Sequence, residues 1–398
     1  MANGLQHCDN AIADLWHRRF TRPGRADRLI GVHYAVLLSG GVDSSVALSR
    51  LVGSGADSIS AYYLKVWLED ELSYLGSCPW EEDLEYARAV CRRFGVDLVV
   101  VPLQLEYYER VVRYTVGELS AGRTPSPDIF CNQRIKFGAF LDYLERHGRP
   151  DARIATGHYA RIERIDGHVE LLRSPDPVKD QTYFLSHLSQ AQLGRIDFPI
   201  GELRKRQVRD LARDLKLPNR DRRDSQGICF LGKIRYNDFI RHYLGESPGP
   251  IINEETGDEI GTHRGIWFHT IGQRQGLGLA GGPWYVTRKD VQNNTVYVSH
   301  SVDVGERSRS RFQISDLCWT WEAPRVDSVL LKIRHGPALI PARIEWIAED
   351  TIELTMETPD RGVAPGQFAV LYDGEVCLGS GTILDDPPQM RVTAESEE

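Results

Sequence analysis

The stretch from Tyr34 to Leu51, YAVLLSGGVDSSVALSRL, constrains this chain more than any other. The apolar run Tyr34–Leu38 predicts a buried strand, Gly40-Gly41 breaks it, and apolar periodicity from Ser44 onward predicts a helix. Asp43 or Ser44 is expected to cap that helix, leaving its first N–H groups to face an anion. Two glycines let the backbone approach a phosphate closely, and Ser39, Ser44 and Ser45 add hydroxyl donors. No Lys follows the glycines, so this is not a Walker loop. The plain alternative is an ordinary turn between a strand and a helix.

A chain of 398 residues is too long for one compact core, so two or three domains are expected. No run of about 18 apolar residues occurs, which argues against a membrane-spanning helix. The first thirty or so residues mix Asp9, Asp14 and Asp27 with arginines and lack an apolar core, unlike a secretory signal or transit peptide. Seven cysteines without framework spacing point to a reducing compartment, the cytoplasm or an organelle. No CxxC pair is present, and no metal ligands are assigned. The net charge of −8 speaks against a nucleic-acid partner, yet it is unevenly spread. Gly201 to His242 carries twelve basic against six acidic residues, a net of +6. Such a run is either a solvated helical face or a footprint for phosphates.

Downstream, Ser58–Trp67 and Val96–Leu103 read as strands, Trp80–Phe94 and Gln104–Leu119 as helices. This alternation predicts a doubly wound parallel sheet with ligands at the carboxyl ends of its strands, where the glycine loop falls. Pro125 and Pro127 are expected to keep their segment in a loop, which presents Asp128 and Cys131 ahead of a helix from Ile135. Near a helix N-terminus and flanked by Arg134 and Lys136, the Cys131 thiol is expected below its usual value of about 8.5, unless it is a buried structural thiol. Ala152–Arg161 predicts a strand ending in a turn at Gly157-His158. Gly157 there allows backbone close to a nucleotide; His158 is a donor or a structural histidine. A hairpin leads to a helix near Asp180, with Lys179 and Gln181 in reach of a polar substrate. Cys229 follows Gly227 in a link between domains, while Cys91, Cys318 and Cys377 fall in apolar-patterned segments and read as packing. Beyond about residue 245, short alternating runs such as TVYVSH and TIELTME, with a hairpin turn at Asp373-Gly374, predict an antiparallel barrel or sandwich. The expected division is an extension at 1–30, an α/β domain at 31–215, a central domain at 216–300 and a C-terminal barrel at 301–398.

SGGVDSS resembles the PP-loop of the N-type ATP pyrophosphatases, whose fold is adenine nucleotide α-hydrolase-like. Read with GRTPSPDIFCN, ATGHYAR, KDQTYFL, DSQGICFLG, HTIGQRQGLG and PGQFAVLYDGEVCLGSG, it resembles the tRNA-specific 2-thiouridylase family from about Tyr34 to Leu384. The resemblance implies sulfur transfer to the wobble uridine of tRNA, with ATP and Mg²⁺ as cofactors and a sulfur-donor protein as partner. It assigns ATP to Leu37, Leu38, Ser39, Gly40, Gly41, Val42, Asp43, Ser44, Leu64 and Gly157. It makes Cys229 the persulfide carrier, Cys131 the second thiol, and Asp128 a general base or positioner. Ser126, Pro127 and Asp128 match the base-recognising tripeptide, where the family normally starts with Asn. His158, Lys179, Asp180, Gln181, Arg334 and Gln367 match tRNA-contacting positions, and His335 stands where Tyr is usual. Two rivals stay open: a nitrogen-transferring synthetase sharing the loop, and a non-catalytic tRNA-binding protein.

Overall fold

The computed structural model describes residues 32–56, 58–67, 80–224, 234–300 and 308–385. Cys8, Cys78, Cys229 and the extension at 1–30 lie outside the described residues. The chain runs through β1 (His33–Leu37), α1 (Val42–Gly53), β2 (Ser58–Lys65), α2 (Trp80–Phe94) and β3 (Leu98–Pro102). Two helical stretches follow, α3 over 104–120 and α4 over 127–146, then β4 (Arg153–Ala155), the hairpin β5 (Ala160–Ile165) and β6 (His168–Arg173), β7 (Ile196–Asp197) and α5 (Lys205–Asp214). Strands β3-β2-β1-β4-β7 pair in parallel in that order. The order reverses beside β1, so the loop after β1 opens at a topological switch point, where sheets of this kind hold ligands. Buried Val36 and Ala155 pack with α1 and α2 on one face. Ala35, Leu37 and Ile154 face α3 and α4 on the other.

The central part comprises α6 (Tyr236–Leu244), β8 (Gly249–Asn253), β9 (Glu259–His263), β10 (Trp284–Asp290) and β11 (Thr295–His300), its sheet ordered β10-β11-β8-β9. The C-terminal part has β12 (Arg309–Trp319), β13 (Ser328–Lys332), β14 (Ile340–Ala348), β15 (Thr351–Asp360), β16 (Phe368–Asp373) and β17 (Val376–Ile383). These six antiparallel strands close into a barrel, because β12 pairs with both β15 and β17. The predicted Asp373-Gly374 turn joins β16 to β17, with Gly374 at φ 55°.

The barrel is not a separate bead. Hairpin β5–β6 leaves the α/β part and pairs with β17 through Leu171 and Leu172, extending the barrel sheet. The Arg173 N–H donates to the Glu375 carbonyl at 2.8 Å, and Arg161 pairs with the Glu375 carboxylate. Fully buried Lys332 of β13 reaches Asp180 at 2.8 Å. Thr124, just before α4, ties all three parts: its N–H donates to the Pro365 carbonyl at 2.8 Å and its hydroxyl lies 3.5 Å from that of Thr270.

Candidate active site

The glycine loop is shaped by its own first helix turn. Helix α1 begins at Val42 and its N-cap is Gly41 in an extended conformation, without a side-chain cap. The expected cap at Asp43 or Ser44 is thereby corrected, because the glycine turn completes two residues earlier. The Ser44 and Ser45 hydroxyls instead donate back to the Gly41 carbonyl, at 3.0 and 2.9 Å. Ser45 N–H to Gly41 O, at 3.2 Å, is the first helical bond, so the N–H groups of Val42, Asp43 and Ser44 stand at the open end. That end suits an anion. Ser39 is exposed there, between buried Leu38 and buried Gly40. Gly40 has φ +75°, and a Cβ on it would lie 2.1 Å from the Asp83 carbonyl, so only glycine fits. Leu37 and Leu38 are buried beneath the loop, with Leu64 beside them on β2.

Gly157 was expected to make room for a nucleotide. Its missing side chain makes room for the loop itself, since a Cβ there would meet the Ser44 nitrogen at 2.6 Å. The adjacent His158 accepts or donates at 2.7 Å with the Thr156 hydroxyl and packs against the Phe137 and Phe198 rings. Burial, then the nearby Lys136 charge, hold it well below its ordinary pKa, so it is neutral at pH 7.

Residues that sequence reasoning missed hold the loop. The Asn219 amide donates to the Gly40 carbonyl at 2.7 Å and to the Ser45 hydroxyl at 2.9 Å. Lys205 binds both Asp43 oxygens, at 2.8 and 2.9 Å, and the Tyr159 hydroxyl donates to Asp43 at 2.9 Å. Lys205 also pairs with Asp224, which takes Lys179 and Arg209 as further partners. Partial burial would raise the Asp224 carboxyl, but hydrogen bonds from Lys205 and Lys179 outweigh it and hold it below the usual range. Arg222 pairs with Asp83 and donates to the Gly40 carbonyl at 3.2 Å. Part of the basic run thus faces inward, while Arg204, Arg206, Arg213, Lys216, Arg220, Arg223 and Arg235 stay exposed. Arg222, Arg209 and Lys205 neutralise local acids, and Lys179 pairs with Asp224 while its side chain stays 38% exposed. The only sequence signal for this was the excess of basic residues itself, whose acidic partners lie up to 162 residues away.

The second correction concerns Asp128 and Cys131. Neither is in a loop: Pro127 occupies the first turn of a helix, where its missing N–H costs nothing, and the helix runs on to residue 146. Cys131 opens a π-helical stretch, Cys131–Ala139, and is 3% exposed. The wide turns free the Gln133 and Phe137 carbonyls, which accept from the Gln192 amide at 2.8 and 2.7 Å. The Arg134 guanidinium lies 3.5 Å over the Phe130 ring and donates to the Arg110 carbonyl. Asn132 links the Asp128 carbonyl to that of Phe184, both at 3.1 Å.

Where the three parts meet lies a cavity of about 950 Å³. Ser126, Pro127, Asp128, Arg334, His335 and Gln367 all line it, although 241 positions separate the first from the last. The Arg334 guanidinium is held by Asp360 at 2.7 and 2.9 Å. The His335 ring stacks on Phe184 with centroids 4.7 Å apart, and its Nε2 donates to the Asp180 carbonyl at 3.1 Å. Asp180 is a third correction: expected among tRNA contacts, it is 1% exposed, its carboxylate bound by Lys332, Arg173 and the Thr182 hydroxyl. Gln181 spends its side-chain oxygen on the Tyr159 N–H at 2.9 Å. The loop residues, Gly157, His158 and the Lys179–Gln181 segment do not line the cavity. Cys91 and Cys377 are buried and Cys318 half-buried, as expected of packing thiols.

Residues 32–233 match a family described as tRNA methyl transferase HUP domain, 237–300 its PRC-barrel domain, and 309–383 an aminomethyltransferase beta-barrel domain. The chain is 44% identical over 359 residues to a tRNA-specific 2-thiouridylase MnmA of Parabacteroides distasonis, covering 88% of this chain and 99% of that protein. It is 45% identical, with the same coverage, to tRNA-specific 2-thiouridylase MnmA 1 of Bacteroides thetaiotaomicron. A solved NMN synthetase of Francisella tularensis superposes with a TM-score of 0.33 at 14% identity, covering 61% of this chain and 87% of that chain, too distant to add anything. No helix among the described residues is long and apolar enough to cross a membrane.

Proposed function

This chain belongs to the tRNA-specific 2-thiouridylase family, and from that premise we propose that it replaces the C2 oxygen of the wobble uridine of tRNA with sulfur, at the expense of ATP. The observation that carries the reading is the convergence of Ser126, Pro127, Asp128, Arg334, His335 and Gln367 on one cavity large enough for an extruded nucleotide. The uridine C2 oxygen is a poor leaving group. ATP transfers AMP to it and releases pyrophosphate, for which the open end of α1 and the serine hydroxyls are the cradle. Mg²⁺, when bound, would neutralise phosphate charge, and Asp43 is the carboxylate this loop could offer it, in exchange for the Lys205 and Tyr159 contacts that engage that carboxylate here.

The terminal sulfur of a persulfide on Cys229 then attacks C2 and AMP leaves with the oxygen. The Cys131 thiolate attacks the Cys229 sulfur, so the S–S bond breaks, the base keeps its sulfur, and a Cys131–Cys229 disulfide remains. Asp128, three residues before Cys131 on the same helix, is the proton acceptor or positioner for that thiol. A protein sulfur donor recharges Cys229 after reduction. Mass spectrometry of tRNA nucleosides after incubation with ATP, Mg²⁺ and a protein persulfide as sulfur donor tests this. The expected product is 2-thiouridine, lost in Cys131→Ser while pyrophosphate release persists. Full thiolation by Cys131→Ser removes Cys131 from the sulfur transfer, pyrophosphate release without 2-thiouridine in wild type favours the rival synthetase, and no pyrophosphate release with wild type leaves a tRNA binder.

A further inference from the structure

The cavity has two walls, and the function above uses one. Asp128, Phe184, His335 and Arg334 belong to the α/β part and the barrel. The opposite wall is the central part's own, with Trp267 and Phe268 leading into the HTIGQRQGLG segment at His269. Phe268 ends a short 3-10 turn, Ile266–Phe268, and is half-buried, its ring 6.3 Å from that of Trp267. The Trp267 indole N–H is committed to the Gly245 carbonyl at 3.2 Å, which fixes the pair. His269 is 7% exposed, and its Nδ1 is buried without a hydrogen-bond partner. No other cavity-lining residue among those described carries such an atom. Its neighbour His263 is satisfied on both nitrogens, by the Asn294 carbonyl at 2.9 Å and the Gly265 N–H at 3.0 Å. The His269 carbonyl takes the Lys289 ammonium at 2.9 Å, so that charge is already engaged. The one arginine of α6 on this wall, Arg241, is neutralised by Asp238 and Glu246.

Arg264 also lines this wall and shares Glu246 with Arg241, at 3.8 Å; beside these paired charges the wall offers an aromatic face and a neutral, incompletely satisfied imidazole. Those groups recognise a base, by stacking and by an edge hydrogen bond, rather than a phosphate. Burial, followed by His263 and Lys289, brings the His269 imidazole down to about 4, which keeps it uncharged at neutral pH. The opposite wall already supplies an aromatic pair of its own, Phe184 and His335, for one base. A volume of about 950 Å³ lies at the top of the range for ligand pockets, more than one base occupies.

We infer that the central wall is a second nucleotide subsite, in which Phe268 stacks on, and His269 hydrogen-bonds to, a base adjacent to the target in the same single strand. The subsite rests on the tRNA reading above and extends it from one nucleotide to two. It is tested with RNA hairpins of anticodon stem–loop sequence: one intact, one lacking the base 5′ of the target uridine, one lacking the base 3′ of it. Dissociation constants are read by fluorescence anisotropy at one salt concentration for wild type, Phe268→Ala, Phe268→Tyr and His269→Ala, each checked by thermal melting. Phe268→Ala is expected to weaken the intact hairpin about tenfold. It should leave unchanged one of the two hairpins that lack a flanking base, and Phe268→Tyr should bind like wild type. Should Phe268→Ala not fold, His269→Ala carries the same hairpin comparison. Equal weakening of all three hairpins, or none, overturns the subsite while wild-type binding keeps the tRNA reading. A wild type that binds no hairpin overturns both.

Discussion

The glycine loop and the three-way cavity are built on opposite plans. The loop is local: the residues facing the anion site fall between Ser39 and Ser44, and their shape follows from one strand end, two glycines and one helix start. The cavity has no local identity, since its lining comes from segments around residues 126, 184, 236, 268, 335 and 367 and exists only when three parts of the chain are docked. A nucleotide site of the first kind needs few supports, such as Asn219 and Lys205. The second kind depends on buried pairs that hold whole domains in register. The two sites therefore differ in which substitutions harm them.

Lys332→Ala is expected to produce the largest effect, on the cavity. It strands the buried Asp180 carboxylate, a loss of about 3–5 kcal/mol measurable by urea unfolding. Burial would raise the Asp180 carboxyl, but Lys332 and Thr182 bring it below its usual value of 3.8. Its stabilising contribution is thus present above pH 3.8 and lost as pH falls through the lower folded value. The variant should lack that acid dependence, and a double Lys332→Met, Asp180→Asn change should recover part of the stability, since the amide oxygen still accepts from the Thr182 hydroxyl. Next comes Gly157→Ala, aimed at the loop: its Cβ would press on the Ser44 nitrogen, and ATP turnover should fall on the order of a hundredfold while RNA binding is kept. Loss of both together would erase the contrast between the sites. Arg222→Ala removes one bond to the Gly40 carbonyl, so the KM for ATP should rise about tenfold in a pyrophosphate-release assay. It should change the salt dependence of RNA binding little, because Arg222 faces Asp83 rather than a partner. The smallest effect belongs to Ser126→Asn, which restores the family's usual residue in the cavity. The KM for RNA should move by only about threefold, with ATP turnover untouched.

What was legible in the sequence follows the same divide. The strand before the loop, helix α2 from Trp80 to Phe94, and the hairpin at Asp373-Gly374 all declare themselves through short-range pattern. Pro127 misled because proline ends a helix from within but starts one comfortably, and that single position moved Asp128 and Cys131 from loop to helix. Asp180 looked available for RNA because its partner Lys332 lies 152 residues away. Gly157 looked like space for a ligand because the backbone that fills the space belongs to Ser44. No local pattern marks Phe268 as a cavity residue, since its role depends on how the central part docks.

The hairpin β5–β6 carries a consequence for anyone recombining these proteins. A fragment cut on domain lines before β12 would leave β6, which pairs with the outer end of the β16–β17 hairpin, and Asp180 behind, because both come from residues near 160–180. A transplant of the barrel from one relative into another would have to bring that ribbon with it. A change along β6 or at Asp180 would need its match in β17 or at Lys332 for the seam to close.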